Sequence, residues 1–215
     1  MESFGEEEML LRAPFSMGIF GSRGSGKTQF AKQLLQSDLI APPIKKVLWV
    51  YKSWQVEQEE LMRGNRFSIE FVDEIPALPT ERSEEGTLIV IDDCMNEVGT
   101  SAVVEALFTR GRHLNVSVVY LAQNLFHQAK RMRNIALNMD YVVIFKNVRD
   151  ESQIRRYAQQ TSWGVDFFMN AYRSATNQPY GHLFLDYTPK AAESLRVRGN
   201  IFRTPSTYYV PKNYK

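Results

Sequence analysis

The eight residues Gly21-Ser-Arg-Gly-Ser-Gly-Lys-Thr28 constrain this chain more than any other stretch. They match G-x-x-x-x-G-K-[ST], a pattern that needs a strand before it and a helix opening inside it. Both are legible. Met17–Phe20 is a short apolar run, and Lys27–Gln36 carries Phe30, Ala31, Leu34 and Leu35 at the spacing of a core-facing helical stripe. Glycines let the backbone curl until successive N–H groups point at phosphate oxygens. The N-terminus of the helix adds the positive end of its dipole. Gly21, Ser22, Arg23, Gly24, Ser25 and Gly26, followed by Gln29, form the phosphate cradle. Within it Lys27 is expected to reach the β- and γ-phosphates of ATP, and Thr28 to ligate Mg²⁺.

A second motif fits the first. Leu88-Ile-Val-Ile-Asp-Asp93 has four consecutive apolar residues, as a central parallel strand buried on both faces requires. Two acids follow at its carboxyl end, where open α/β sheets bind their ligands. Asp92 is the expected magnesium residue, and Asp93 the group that polarises the attacking water. Ser117-Val-Val-Tyr-Leu-Ala-Gln123 is a third strand; set beside that of Asp92, it lets Gln123 sense the γ-phosphate or orient the water. Between the two strands lies Thr109-Arg-Gly-Arg-His113. Arg110 and Arg112 are candidates for a transition-state arginine offered to a neighbouring subunit, or equally for charges that favour a helix end.

The rest of the chain repeats the same alternation of short apolar runs and helical patterns, which predicts an α/β fold with a mostly parallel central sheet flanked by helices. Strands are expected at Phe15–Phe20, Val47–Tyr51, Ser68–Val72, Leu88–Ile91, Val116–Leu121, Tyr141–Phe145 and His182–Leu185. Helices are expected at Lys27–Gln36, Ser101–Thr109, Gln128–Asn138 and Trp163–Ser174. Asp73–Gly86 reads as an acidic connection with two prolines. The division expected is an N-terminal arm (1–13), one ATPase domain (14–198) and an extended aromatic, basic tail (199–215), which either frays or docks on a neighbour.

Composition excludes other classes. The single cysteine, Cys94, rules out an intrachain disulfide scaffold and a cysteine-built zinc site, and is expected to be a small buried residue. No run approaches the ~18 apolar residues of a membrane span, and the start of the chain is acidic rather than basic. The expectation is a soluble intracellular protein with no transmembrane segment. Net charge is +2, but residues 1–107 hold 10 basic and 18 acidic side chains and residues 108–215 hold 16 and 6. Such asymmetry suits a polyanion-binding face or attraction between subunits, unless the fold interleaves the halves.

Gly21–Thr28, the run LIVIDD ending at Asp93, and above all TRGRHLNVSVVYLAQNLFHQ (Thr109–Gln128) resemble the FtsK–HerA superfamily of P-loop ATPases. The branch most similar is the genome-packaging ATPases of double-jelly-roll-capsid DNA viruses: the poxvirus-type enzymes and those of virophages, adintoviruses and Polinton elements. RMRNIALNMDYVVIFKN (Arg131–Asn147) is also similar to that branch, and the resemblance spans roughly Pro14 to Asp186. It implies a RecA-like P-loop NTPase core, ATP and Mg²⁺ as ligands, and a homo-oligomeric ring, commonly a hexamer. It implies double-stranded DNA moved through that ring into a preformed capsid, with capsid vertex proteins as partners. Location in the infected host cell, with possible virion association, follows from it. By the same resemblance Asp93 stands where many relatives carry glutamate. Lys130, Arg131, Arg133, Arg149, Arg155 and Arg156 are where DNA backbone contacts are expected. By length, the nuclease domain of a large terminase is not expected within these 215 residues. Two other functions remain open at the sequence level: a nucleotide-dependent scaffold that docks at the capsid, and a P-loop nucleotide kinase.

Overall fold

The computed structural model describes residues 10–51, 66–92, 98–125, 131–203 and 206–211. Asp93, Cys94 and Lys130 lie outside the described residues. The centre of the molecule is a sheet built on the phosphate-loop strand, β2 (Ser16–Phe20), which follows a two-residue strand β1 (Leu11–Arg12). Helix α1 (Lys27–Gln36) leads to β3 (Ile40–Ala41), which pairs with β1 apart from the main sheet. Then come β4 (Lys46–Val50), β5 (Ser68–Val72), β6 (Thr87–Asp92), α2 (Ala102–Arg110) and β7 (Val116–Ala122). A 3₁₀ turn, Gly111–Leu114, joins the last two. The chain continues through α3 (Met132–Leu137), β8 (Tyr141–Phe145), α4 (Glu151–Ala158) and α5 (Val165–Ala175). It closes with β9 (His182–Asp186), β10 (Val197–Gly199) and β11 (Thr207–Tyr208).

The main sheet has nine strands in the order β11-β10-β9-β8-β2-β7-β6-β4-β5. From β8 to β5 every neighbour is parallel, whereas β9, β10 and β11 add antiparallel strands at one edge. The central strands are buried along their full lengths, SMGIF in β2 and VSVVYLA in β7, as expected of parallel strands covered on both faces. Alternate residues supply two cores. Ile89, Ile91, Val118 and Tyr120 meet α2, α3, α4 and α5 through Val104, Ile135, Ile154 and Phe168. Val90, Val119 and Leu121 meet α1 through Phe30, Ala31 and Leu34 on the other face. The sheet therefore carries four described helices on one face and α1, with the small β1–β3 ribbon, on the other.

Several sequence expectations are shifted or extended. Asp73–Gly86 has neither helix nor strand, in keeping with its prolines. Helix α4 escaped notice because its stripe consists only of Ile154 and Ala158. The usable signal was its cap, Asp150 accepting from Ser152 N–H at 3.0 Å, followed by Glu151 in the first turn. Residues after Gly199 pack on their own subunit: Ile201 is buried, Phe202 lies 4.8 Å from the Phe30 ring, and β11 pairs with β10.

Candidate nucleotide site

Register brings three strand ends together. Phe20 of β2 stands beside Ala122 of β7, and Leu121 beside Asp92 of β6. Gly21, Gln123 and Asp92 thus leave the sheet side by side, with β7 between the loop strand and the acid strand. Gly21 N–H donates to Ala122 O at 3.1 Å, extending the ladder into the loop. Gly24 and Gly26 have φ of 75° and 104°, left-handed values that L side chains rarely adopt. Gly26 is the N-cap of α1 and has no side chain to offer its N–H groups, and no acid occupies the first turn. A helix start without an acidic side chain is a place where an anion is favoured by the helix dipole.

The loop side chains fit that anion. Lys27 Nζ folds over the loop and donates to Gly21 O at 2.8 Å and Ser22 O at 3.1 Å. Ser25 Oγ is buried without a hydrogen bond, an orphaned donor within the cradle. Thr28, in the first turn of α1, reaches over β7 and sets its Oγ1 3.4 Å from Asp92 Oδ2 on β6. A hydroxyl and a carboxylate so placed are hard oxygen donors of the kind Mg²⁺ takes when phosphates supply further ligands. Among the described residues no group of three or more His, Cys, Asp or Glu side chains could hold a metal ion by itself. Gln123 is exposed at the end of β7 and, with Gly21, Asn147 and Gln153, borders a small pocket beside the loop.

The arginines fall elsewhere. Arg110 ends α2 and Arg112 sits in the following 3₁₀ turn, where the chain re-enters the sheet at the start of β7. Arg112 pairs with Asp140 at 2.7 Å, and Asp140 in turn bonds Ser16, the first residue of β2. That is the opposite end of the sheet from Gly21, a strand's length or roughly 15 Å away. Arg131 pairs with Glu105 of α2; the Asn134 amide and Arg131 together hold that carboxyl below its ordinary range. Arg133, Arg149, Arg155 and Arg156 are exposed. Arg133 is on α3, Arg149 is in the loop after β8, and the other two are in the last turn of α4. Among the described residues no helix is long and apolar enough to cross a membrane.

No family model matches the chain. It is 27% identical over 186 residues to the uncharacterized protein 015R of Frog virus 3 (isolate Goorha), an alignment covering 79% of this chain and 56% of that protein. The chain therefore spans a little over half the length of this relative. Among solved structures it is similar to the genome packaging NTPase B204 of Sulfolobus turreted icosahedral virus 2. In its sulfate complex the TM-score is 0.58 at 12% identity, over 82% of this chain and 92% of that one. In its ATP-γS complex the TM-score is 0.52 at 11% identity, covering 92% and 98%. The cytoplasmic domain of the Thermomonospora curvata type VII secretion ATPase EccC gives 0.54 at 12% identity, covering 93% of this chain and 26% of that one. At such identities the likeness is one of fold, and the fold is the one its motifs resemble in sequence: that of a viral genome-packaging P-loop NTPase.

Proposed function

We propose that this chain is an ATPase that moves double-stranded DNA into a preformed viral capsid, acting as a homo-oligomeric ring. The observation that carries the reading is the Thr28–Asp92 contact of 3.4 Å at the start of α1, whose N-cap is Gly26. It joins two motifs 64 residues apart into one oxygen-lined site beside a phosphate cradle. Mg²⁺ held by Thr28 and Asp92 would neutralise charge on the β- and γ-phosphates. The chain's own residues do the rest. Lys27 exchanges the Gly21 and Ser22 carbonyls for phosphate oxygens, and the N–H groups of the loop hold the triphosphate in line for attack by water. Gln123, at the end of the strand between loop and acid, orients that water, with Asp93 as the acid that polarises it. The intervening strand favours hydrolysis over transfer to a second substrate, because it brings an amide rather than an acceptor cleft to the γ-phosphate.

The remaining assignments are drawn by placement. Arg112 is held by Asp140, which leaves exposed Arg110 as the arginine offered to a neighbour's site. Exposed Arg133, Arg155 and Arg156 on the helices and Arg149 in the loop after β8 carry the DNA backbone contacts, whereas Arg131 serves its own fold through Glu105. The stretch Thr109–Gln128 supports the poxvirus-type branch within the wider superfamily, with capsid vertex proteins as the docking partner. The test is phosphate release from ATP with and without double-stranded DNA across a salt series, in the assembled oligomer. DNA should stimulate hydrolysis, the stimulation should fade steeply with salt, and Lys27→Ala should abolish both. Hydrolysis indifferent to DNA at every salt concentration would overturn the motor and favour a scaffold.

A further inference from the structure

A second feature lies against the phosphate loop, and neither motif uses it. Residues 178–181 form a tight turn closed by Gly181 N–H to Gln178 O at 3.0 Å. Pro179 takes its second position and Tyr180 its third. Tyr180 has φ 60°. With proline second, a positive φ at the third position is the place of glycine or asparagine. The other non-glycine residues with positive φ among those described are Asn115 and Asn200, which tolerate it. A tyrosine does not, and this one gains little from packing because it is 72% exposed.

The strained residue is nevertheless held and aimed. One ring nitrogen of His182 is hydrogen-bonded to the Tyr180 backbone, and Nε2 accepts from Ile201 N–H at 3.3 Å. The imidazole is itself wedged against Phe30 and Phe145, with centroids 4.8 and 5.4 Å away. The tyrosine ring lies on the loop: a Cβ at Gly26 would stand 3.1 Å from Tyr180 Cδ1. Gly26, Gln29, Gln33, Phe145, Tyr180 and Phe202 wall a cleft of about 320 Å³ beside the start of α1. A cleft of that size, mostly apolar with a few polar groups, suits a small ligand. Gln29 and Gln33 are one helical turn apart, so their amides, each donor and acceptor, share one side of it.

Resting on the nucleotide reading above, we propose that Tyr180 is a stacking face for the purine base of the nucleotide whose phosphates the 21–28 loop holds, with Gln29 and Gln33 at the base edge. Backbone strain is kept where a site uses the side chain it displays, and an exposed aromatic ring next to the phosphates is what a base requires. His182 acts as a positioning residue, fixing the turn that presents the ring.

The experiment measures binding of ATP and of inorganic tripolyphosphate to the full chain, by calorimetry, alongside Tm of the free protein. Tyr180→Gly suits φ 60° and is expected to hold or raise Tm, to leave tripolyphosphate affinity unchanged, and to weaken ATP about tenfold. Tyr180→Asn, which also accepts that backbone, should behave alike, and Tyr180→Phe should bind ATP as the parent does. Unchanged ATP affinity in Tyr180→Gly and Tyr180→Asn would overturn the stacking role and leave the phosphate site standing. Equal loss of ATP and tripolyphosphate would also overturn it, since the ring would then be supporting the loop. A parent protein that binds neither ligand would refute the phosphate site and this proposal together.

Discussion

Thr28 and Asp92 show how much one side-chain contact decides. Asp92→Asn retains the shape of the site and loses the carboxylate. ATP hydrolysis is therefore expected to fall by at least ~10²-fold, while nucleotide still binds without magnesium; a magnesium titration of both proteins checks this. His182 supplies a pH prediction of the opposite kind, about stability rather than turnover. Burial pushes its imidazole down to about 4 from 6.5, with the Tyr180 hydrogen bond opposing and the charge of Arg203 assisting. The folded protein holds it neutral while the unfolded chain protonates it below about 6.5. Stability is thus complete above that pH and drains away as pH falls toward 4, by about 3 kcal/mol in all. Urea melts from pH 7 to 4 should show that slope, and His182→Gln should flatten it even if the variant is less stable throughout. At this scale the shape of the loop was legible from its glycines, since Gly24 and Gly26 take the left-handed φ that the spacing implies and Thr28 meets Asp92. Tyr180 was not, since nothing in the letters Gln-Pro-Tyr-Gly says that the tyrosine takes the position of a glycine.

Among the elements, long buried strands declared themselves and short ones did not. β2, β7 and β8 are buried runs, apolar but for Ser16, Gly18 and Ser117, whereas β1, β3 and β11 have two residues each, too few for any period to register. Their existence depends on partners: β11 is a strand only because β10 lies beside it, and β10 because β9 does. The same dependence explains the segment after Gly199, whose prolines and tyrosines read as a loose arm. Ile201 and Phe202 are anchored against α1 and β9, a tertiary fact with no local signature. Ile201→Ala should cost about 2–3 kcal/mol, read as a lower urea midpoint with an unchanged slope. Helix α2 is held at its start by Ser101, whose hydroxyl accepts from Val104 N–H at 3.3 Å. Ser101→Ala should cost about 1 kcal/mol by the same measurement.

Among the described residues a mild charge bias runs across the sheet: 40–51 with 66–92 hold 7 acidic and 4 basic side chains, and 140–203 with 206–211 hold 9 basic and 6 acidic. Strands β5, β4 and β6 come from the acidic half of the chain and occupy one side; β8, β9, β10 and β11 come from the basic half and occupy the other. Only β2 crosses, seated between β7 and β8. A bias of opposite sign on the two sides would favour head-to-tail association of copies, one subunit's acidic side meeting a neighbour's basic side. Sedimentation should show oligomers that weaken as ionic strength rises from about 0.05 M to about 0.5 M, and Glu84→Lys with Glu85→Lys should weaken them at low salt. The halves were countable from the sequence, but their separation was not, because strand order is set by crossovers that composition does not encode.

One further consequence belongs to β7. Its seven residues are buried throughout and hydrogen-bonded on both sides, so the strand cannot bend without breaking two ladders at once. It behaves as a stiff rod about 20 Å long, with Gln123 at one tip and the turn bearing Arg112 at the other. Displacing one tip displaces the other by the same amount. Between Gly21 and the Arg112 turn there is no slack within the sheet to take up a displacement, so a shift imposed at one end of β7 would be carried to the other.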